Sequence, residues 1–159
     1  LKTFGDAKFG KRIAHAVLEQ RVIKPLETTA EFAQLIDKAV PVKDKFKHPA
    51  TRSFQGVRIF INGELDQLNQ GLEGAVNVLK SGGRLAVISF HSLEDRVAKR
   101  FIRKLSKGKE IPRGLPITQQ EIDADKMVKA MGRAIKPSAE EIALNVRCRS
   151  SVLRVAEKL

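Results

Sequence analysis

Residues Gly82-Gly83-Arg84-Leu85-Ala86-Val87-Ile88-Ser89-Phe90-His91-Ser92-Leu93-Glu94-Asp95-Arg96 set the narrowest limits on what this chain can fold into. The two glycines stop a preceding helix, a strand follows at 84–90, and polar residues lead into a new helix. Leu85 to Ile88 show no alternation, which predicts a strand covered on both faces in a parallel sheet. Ligands in open α/β sheets sit beyond the carboxyl ends of the strands. His91 and Ser92 occupy that edge and are the candidate pocket residues. Ser92 also reads as an N-cap, with Asp95 three residues on completing a capping-box-like pair.

Around this stretch the pattern is mainly helical. Phe9, Ile13, Ala16, Val17 and Gln20 recur at helical spacing over Asp6 to Arg21, with His15 off the stripe, and Pro25 ends the segment. Thr28 with Glu31 forms a capping box for a helix to about Val40 that buries Phe32, Leu35 and Ile36, and Pro41 stops it. Lys43 to His48 is a basic loop around Phe46, which reads first as an anchor on the helices, with a base-stacking platform as the alternative. From Phe54 to Leu79 apolar residues repeat at steps of three or four, which predicts one long helix over 50–79, closed by Gly82 and kinked near Asn62-Gly63. A helix from Leu93 to Leu105 turns Val97, Phe101 and Ile102 inward. Lys107 to Ile117 reads as a loop, 118–125 as a short acidic helix and Met127 to Ile135 as a weak strand interrupted by Gly132. Ser138 with Glu141 gives a further cap, and Val152, Leu153, Val155 and Leu159 mark a final strand.

Charge narrows the class of partner. The net charge is +12 over 159 residues, and it is clustered. Segment 41–58 has five bases and one acid, 96–113 eight and one, and 126–159 eight and three, whereas 59–95 has two bases and five acids. Clustering of this kind is the footprint of a polyanion, since each neutralised phosphate releases condensed counterions. Nucleic acid is favoured over a membrane, because no long basic amphipathic helix shows an aromatic face and no apolar run reaches the roughly 18 residues of a spanning helix. The first residues lack a signal-peptide core. Cys148 is the single cysteine, a small packed filler that fits a reducing compartment, so a cytoplasmic location is expected.

Ser89-Phe90-His91-Ser92-Leu93-Glu94-Asp95-Arg96 resembles the signature of the bacterial small-subunit ribosomal RNA cytosine-N4 methyltransferases. The likeness extends to Val40-Pro41-Val42-Lys43, to His48 through Gln55, to Val57-Arg58-Ile59 with Asn62 and Glu64-Leu65, and to Asn145 through Ser151, where the family usually has proline in place of Val146. It runs from about Phe9 to Leu159 in the family's order. The resemblance implies an α/β fold: the C-terminal part of a Rossmann-like class I methyltransferase sheet, at 56–159, plus most of an all-helical insertion, at 1–55, for RNA recognition. It implies methyl transfer from S-adenosylmethionine to N4 of a cytidine in 16S rRNA or the small ribosomal subunit. Lys43, Lys45, Lys47, Arg52 and Arg58 are then candidates for phosphate contacts. Arg147, Arg149 and Ser150 approach the same edge as His91 and Ser92, unless the two arginines instead fasten the C-terminal tail to the sheet.

Three absences complicate that reading. No Gly-x-Gly loop follows a strand, no Cys/His cluster has metal spacing, and no Asp- or Ser-Pro-Pro-aromatic segment is present to hold an exocyclic amine. A sheet of three strands with this much helix is also incomplete. The family explains this if the cofactor loop and target-amine segment belong to a first half, so the chain is expected to be an inactive fragment of the parent enzyme. Two alternatives from other classes are a non-catalytic basic RNA-binding adaptor and a sheet-completing interaction module. Either the fragment or the module would be prone to self-association through the uncovered edge of the strand at 84–90.

Overall fold

The computed structural model describes residues 9–42, 48–108, 123 and 125–159. Lys43, Lys45, Phe46 and Lys47 lie outside the described residues, as does most of the acidic helix expected at 118–125. The chain divides into two compact units, Leu1–Glu64 and Leu65–Leu159.

In the first unit, α1 (Gly10–Ile23) and α2 (Thr29–Ala39) enclose a core of Ile13, Ile36, Ala39, Val40 and Ala50. Phe32 and Phe54 pack beside it edge to face, with ring centroids 5.3 Å apart. His15 is exposed, as its position off the stripe requires. The capping box of α2 is complete: Thr28 Oγ1 accepts the Glu31 N–H at 3.1 Å, and Glu31 Oε2 accepts the N–H groups of Thr28 at 3.1 Å and Glu27 at 2.9 Å. Lys24 Nζ donates to the other Glu31 oxygen at 3.0 Å. That bond, with the two backbone donors, lowers the Glu31 pKa to about 2.

The single helix expected over 50–79 is two helices, α3 (Thr51–Asn62) and α4 (Glu64–Val78). Gly63 separates them with φ of +61°, a left-handed conformation that glycine adopts without the steric penalty of a Cβ. The Arg58 guanidinium spans the break, donating to both oxygens of Glu64 at 2.7 and 3.1 Å.

The second unit holds a sheet of β1 (Arg84–Ser89), β2 (Val128–Ala130) and β3 (Val152–Lys158) in the order β1-β3-β2. Both pairings are antiparallel, which corrects the parallel arrangement expected for the run at 85–88. The burial of β1 alternates after all. Leu85 and Val87 face inward and Ser89 is buried, while Ala86 is exposed and Ile88 is 61% exposed. The inward face packs on α5 (Ser92–Lys107), building a core of Val76, Ile102, Val128 and Ala156. At the start of β1, Gly82 N–H donates to Lys158 O and Lys158 N–H to Gly83 O, both at 2.8 Å, so the glycine turn extends the β1–β3 ladder. A Cβ on Gly83 would stand 2.8 Å from the Lys80 carbonyl oxygen, which reserves the position for glycine.

The strand expected over 127–135 is shorter. After Ala130 the chain turns through Gly132, at φ +70°, and rejoins β3 by a single bridge between Ile135 and Leu153. Ser138 Oγ caps α6 (Ala139–Leu144) by accepting the Glu141 N–H at 3.1 Å. A 3-10 turn, Val146–Ser150, then leads into β3, with Cys148 buried beneath it.

Candidate functional site

The register of the sheet assembles the candidate edge. Ser89, the last residue of β1, pairs with Val152, the first of β3, and Ser89 Oγ donates to the Val152 carbonyl at 3.3 Å. The chain leaving β1 (Phe90, His91, Ser92) and the chain entering β3 (Arg147, Arg149, Ser150) therefore meet at one end of the sheet. Ser92, Arg147, Arg149 and Ser150 are all exposed there, and Phe90 is 56% exposed.

His91 is the N-cap of α5, one residue earlier than the Ser92–Asp95 pairing expected from sequence. Its Nδ1 accepts the Glu94 N–H at 3.3 Å, while Glu94 Oε2 accepts the N–H groups of Phe90 at 2.9 Å and His91 at 3.2 Å. With Nδ1 accepting, the proton of the neutral ring sits on Nε2. That atom is buried and lies 3.2 Å from Glu94 Oε1 without an aligned hydrogen bond. A helix N-terminus is a natural anion site because its first N–H groups lack partners. Here the Glu94 carboxylate and the His91 ring already occupy several of the donors an outside anion would use.

Asp95, released from any capping duty, pairs with Arg154 of β3. The guanidinium donates to both carboxylate oxygens, at 2.7 and 3.0 Å, and each side chain is only about a fifth exposed. The hydrogen bond to Arg154 lowers the Asp95 pKa below the usual carboxylate range, against the raising effect of partial burial. Arg154 is thus the arginine that fastens the C-terminal strand, the role considered for Arg147 and Arg149. No ion pair is formed by those two among the described residues. The signal for Glu94 was available as a residue three beyond His91, but histidine ranks below serine as an expected cap. Asp95 and Arg154 lie 59 residues apart, and no local pattern announces them.

The remaining candidates lie in the first unit. Arg52 is exposed on α3, and Arg58 is bound to Glu64 while its side chain stays 57% exposed.

Compared with known proteins, the chain falls among methyltransferases. It belongs to the MraW methylase family, which matches residues 1–159. It is 68% identical, over all 159 residues, to ribosomal RNA small subunit methyltransferase H of Alteromonas mediterranea, covering 51% of that protein. It is 65% identical over the same length to the protein of that name from Pseudoalteromonas atlantica, again covering 51%. The chain therefore spans about half the length of these curated relatives.

Proposed function

We propose that the protein carrying this chain is an S-adenosylmethionine-dependent enzyme that methylates N4 of a cytidine in small-subunit ribosomal RNA, acting in the cytoplasm. The observation that carries this reading is identity of 68% across the whole chain to a ribosomal RNA small subunit methyltransferase. The 1–55 segment serves as the helical RNA-recognition part, with Lys43, Lys45, Lys47, Arg52 and Arg58 toward phosphates. Residues 56–159 supply the last three strands of a Rossmann-like sheet. The edge of β1 that no described strand pairs is where the rest of the parent sheet joins, and the outward face, with Ile88 61% exposed, is where other parts of the parent pack.

Gly82-Gly83 does not fit a phosphate or cofactor cradle. Gly82-Gly83 precedes β1 instead of following it, and both glycines are used in pairing to Lys158. Cofactor binding belongs to residues other than these. The contribution of this chain is to position the base: the cytosine amine's lone pair is delocalised into the ring, so the target must leave its stack and be oriented for transfer. His91 and Ser92, with Arg147, Arg149 and Ser150 beside them, line that approach.

The test is transfer of labelled methyl from S-adenosylmethionine by the intact protein to unmethylated small-subunit RNA, followed by digestion to nucleosides. Label in N4-methylcytidine is expected. Label in another nucleoside, or none, would refute the assignment.

A further inference from the structure

One charged surface is left unexplained by these roles. Arg96, Lys99, Arg100, Arg103, Lys104 and Lys107 are all exposed on α5. Their spacings of three and one place them, at 100° per residue, within an arc of about 140° and along roughly 16 Å of helix. Between Arg96 and Lys107 no other residue enters that arc. Among the described residues none of the six makes a side-chain hydrogen bond or a close ion pair, and only Lys99 has an acidic neighbour that feels its charge, Asp95 one turn earlier. Like charges three and four residues apart destabilise a helix. This helix tolerates them because its other face, with Ala98 and Ile102 buried, is held in the core.

We infer that this outward face of α5 is a phosphate-backbone track for RNA, an inference that rests on the methyltransferase reading for the class of polyanion. The chemistry selects against the other polyanionic surfaces. Binding in a bilayer interface requires an apolar helix face to insert, and that face of α5 is already spent on the sheet. The arc offers no apolar or aromatic side chain of the sort that anchors protein–protein contacts. It offers a row of cations, which suits a regularly charged backbone and carries no base readout of its own. Because α5 begins directly after Phe90-His91, the track runs away from the candidate edge, so RNA held along it would be registered against the site.

The experiment is fluorescence anisotropy of the intact protein with a short RNA duplex across a salt series. The triple variant Lys99→Gln, Arg103→Gln, Lys107→Gln is expected to flatten the slope of log K against log[salt] by about two to three, at roughly 0.7–0.9 per phosphate contact. The charge-preserving pair Arg100→Lys, Arg103→Lys is expected to leave the slope unchanged. Removing three exposed charges elsewhere in the same unit, by Lys129→Gln, Arg133→Gln and Lys136→Gln, should also leave it near wild type. An unchanged slope in the α5 triple, equal flattening by both triples, or equally tight binding of polyglutamate would each overturn the inference. The two readings fail separately. Methyl transfer with a slope indifferent to α5 sinks only the track, and an α5-dependent slope without methyl transfer sinks only the enzyme.

Discussion

Cutting the Asp95–Arg154 pair should cost the second unit about 2 kcal/mol. Exposed ion pairs contribute roughly 0.2–1 kcal/mol, and breaking a fully buried pair costs about 3–5 kcal/mol because one charge is stranded. This pair lies between those limits, with side chains 19% and 23% exposed and two hydrogen bonds of 2.7 and 3.0 Å. A loss of about 2 kcal/mol lowers the folding equilibrium by roughly 30-fold. The assay is a double-mutant cycle on the intact protein, with Asp95→Ala, Arg154→Ala and the double variant followed by urea unfolding. A coupling of about 2 kcal/mol is expected, with the dependence on urea concentration unchanged. The pH dependence has a definite sign. The folded pKa of Asp95 is depressed, so the pair's contribution is fully present above the ordinary aspartate range and is lost as pH falls through the lowered value. A coupling below about 0.5 kcal/mol would refute the view that this contact holds β3 to α5.

Three further outcomes follow from particular contacts. Gly83→Ala sets a Cβ 2.8 Å from the Lys80 oxygen, a backbone atom with little room to yield, and should destabilise the protein by about 1–3 kcal/mol, read as faster hydrogen exchange at Lys158 N–H. Glu31 should titrate near pH 2 by carboxyl NMR, and its capping contribution should persist above the ordinary glutamate range and fade as pH falls toward that value; Lys24→Met should move the titration upward, and an unmoved value would contradict the assigned cause. The 159-residue chain expressed alone should sediment above monomer mass through the free edge of β1 and resist dissociation by salt, whereas a well-folded monomer at high concentration would contradict this.

Much of the helical part is written locally. Thr28 and Glu31 sit three apart before an apolar run, and the capping box follows from that spacing alone. The kink expected near Asn62-Gly63 is a full helix break at that place, which the pattern does not show because one left-handed residue leaves the three-and-four spacing from Phe54 to Leu79 almost undisturbed. The periodicity thus reads straight through a helix end. The direction of the sheet is a long-range property. Leu85 to Ile88 form the same unbroken apolar run whether the neighbour is parallel or antiparallel, and the partner, β3, lies more than sixty residues on. That run predicts cover on both faces, yet Ile88 is exposed because nothing among the described residues lies over the outward side. At the candidate edge, a shift of one residue decided the roles: Glu94 binds the N–H groups of both Phe90 and His91, so the helix starts at Ser92 with His91 as its cap, and Asp95 is left for Arg154.

The most direct measurement is nucleoside mass spectrometry of small-subunit ribosomal RNA from cells lacking the protein. N4-methylated cytidine is expected to be lost from one site, while other modified nucleosides stay at their normal levels. Restoring the intact protein should return it. Unchanged N4-methylcytidine in the deleted cells would contradict the account at its centre.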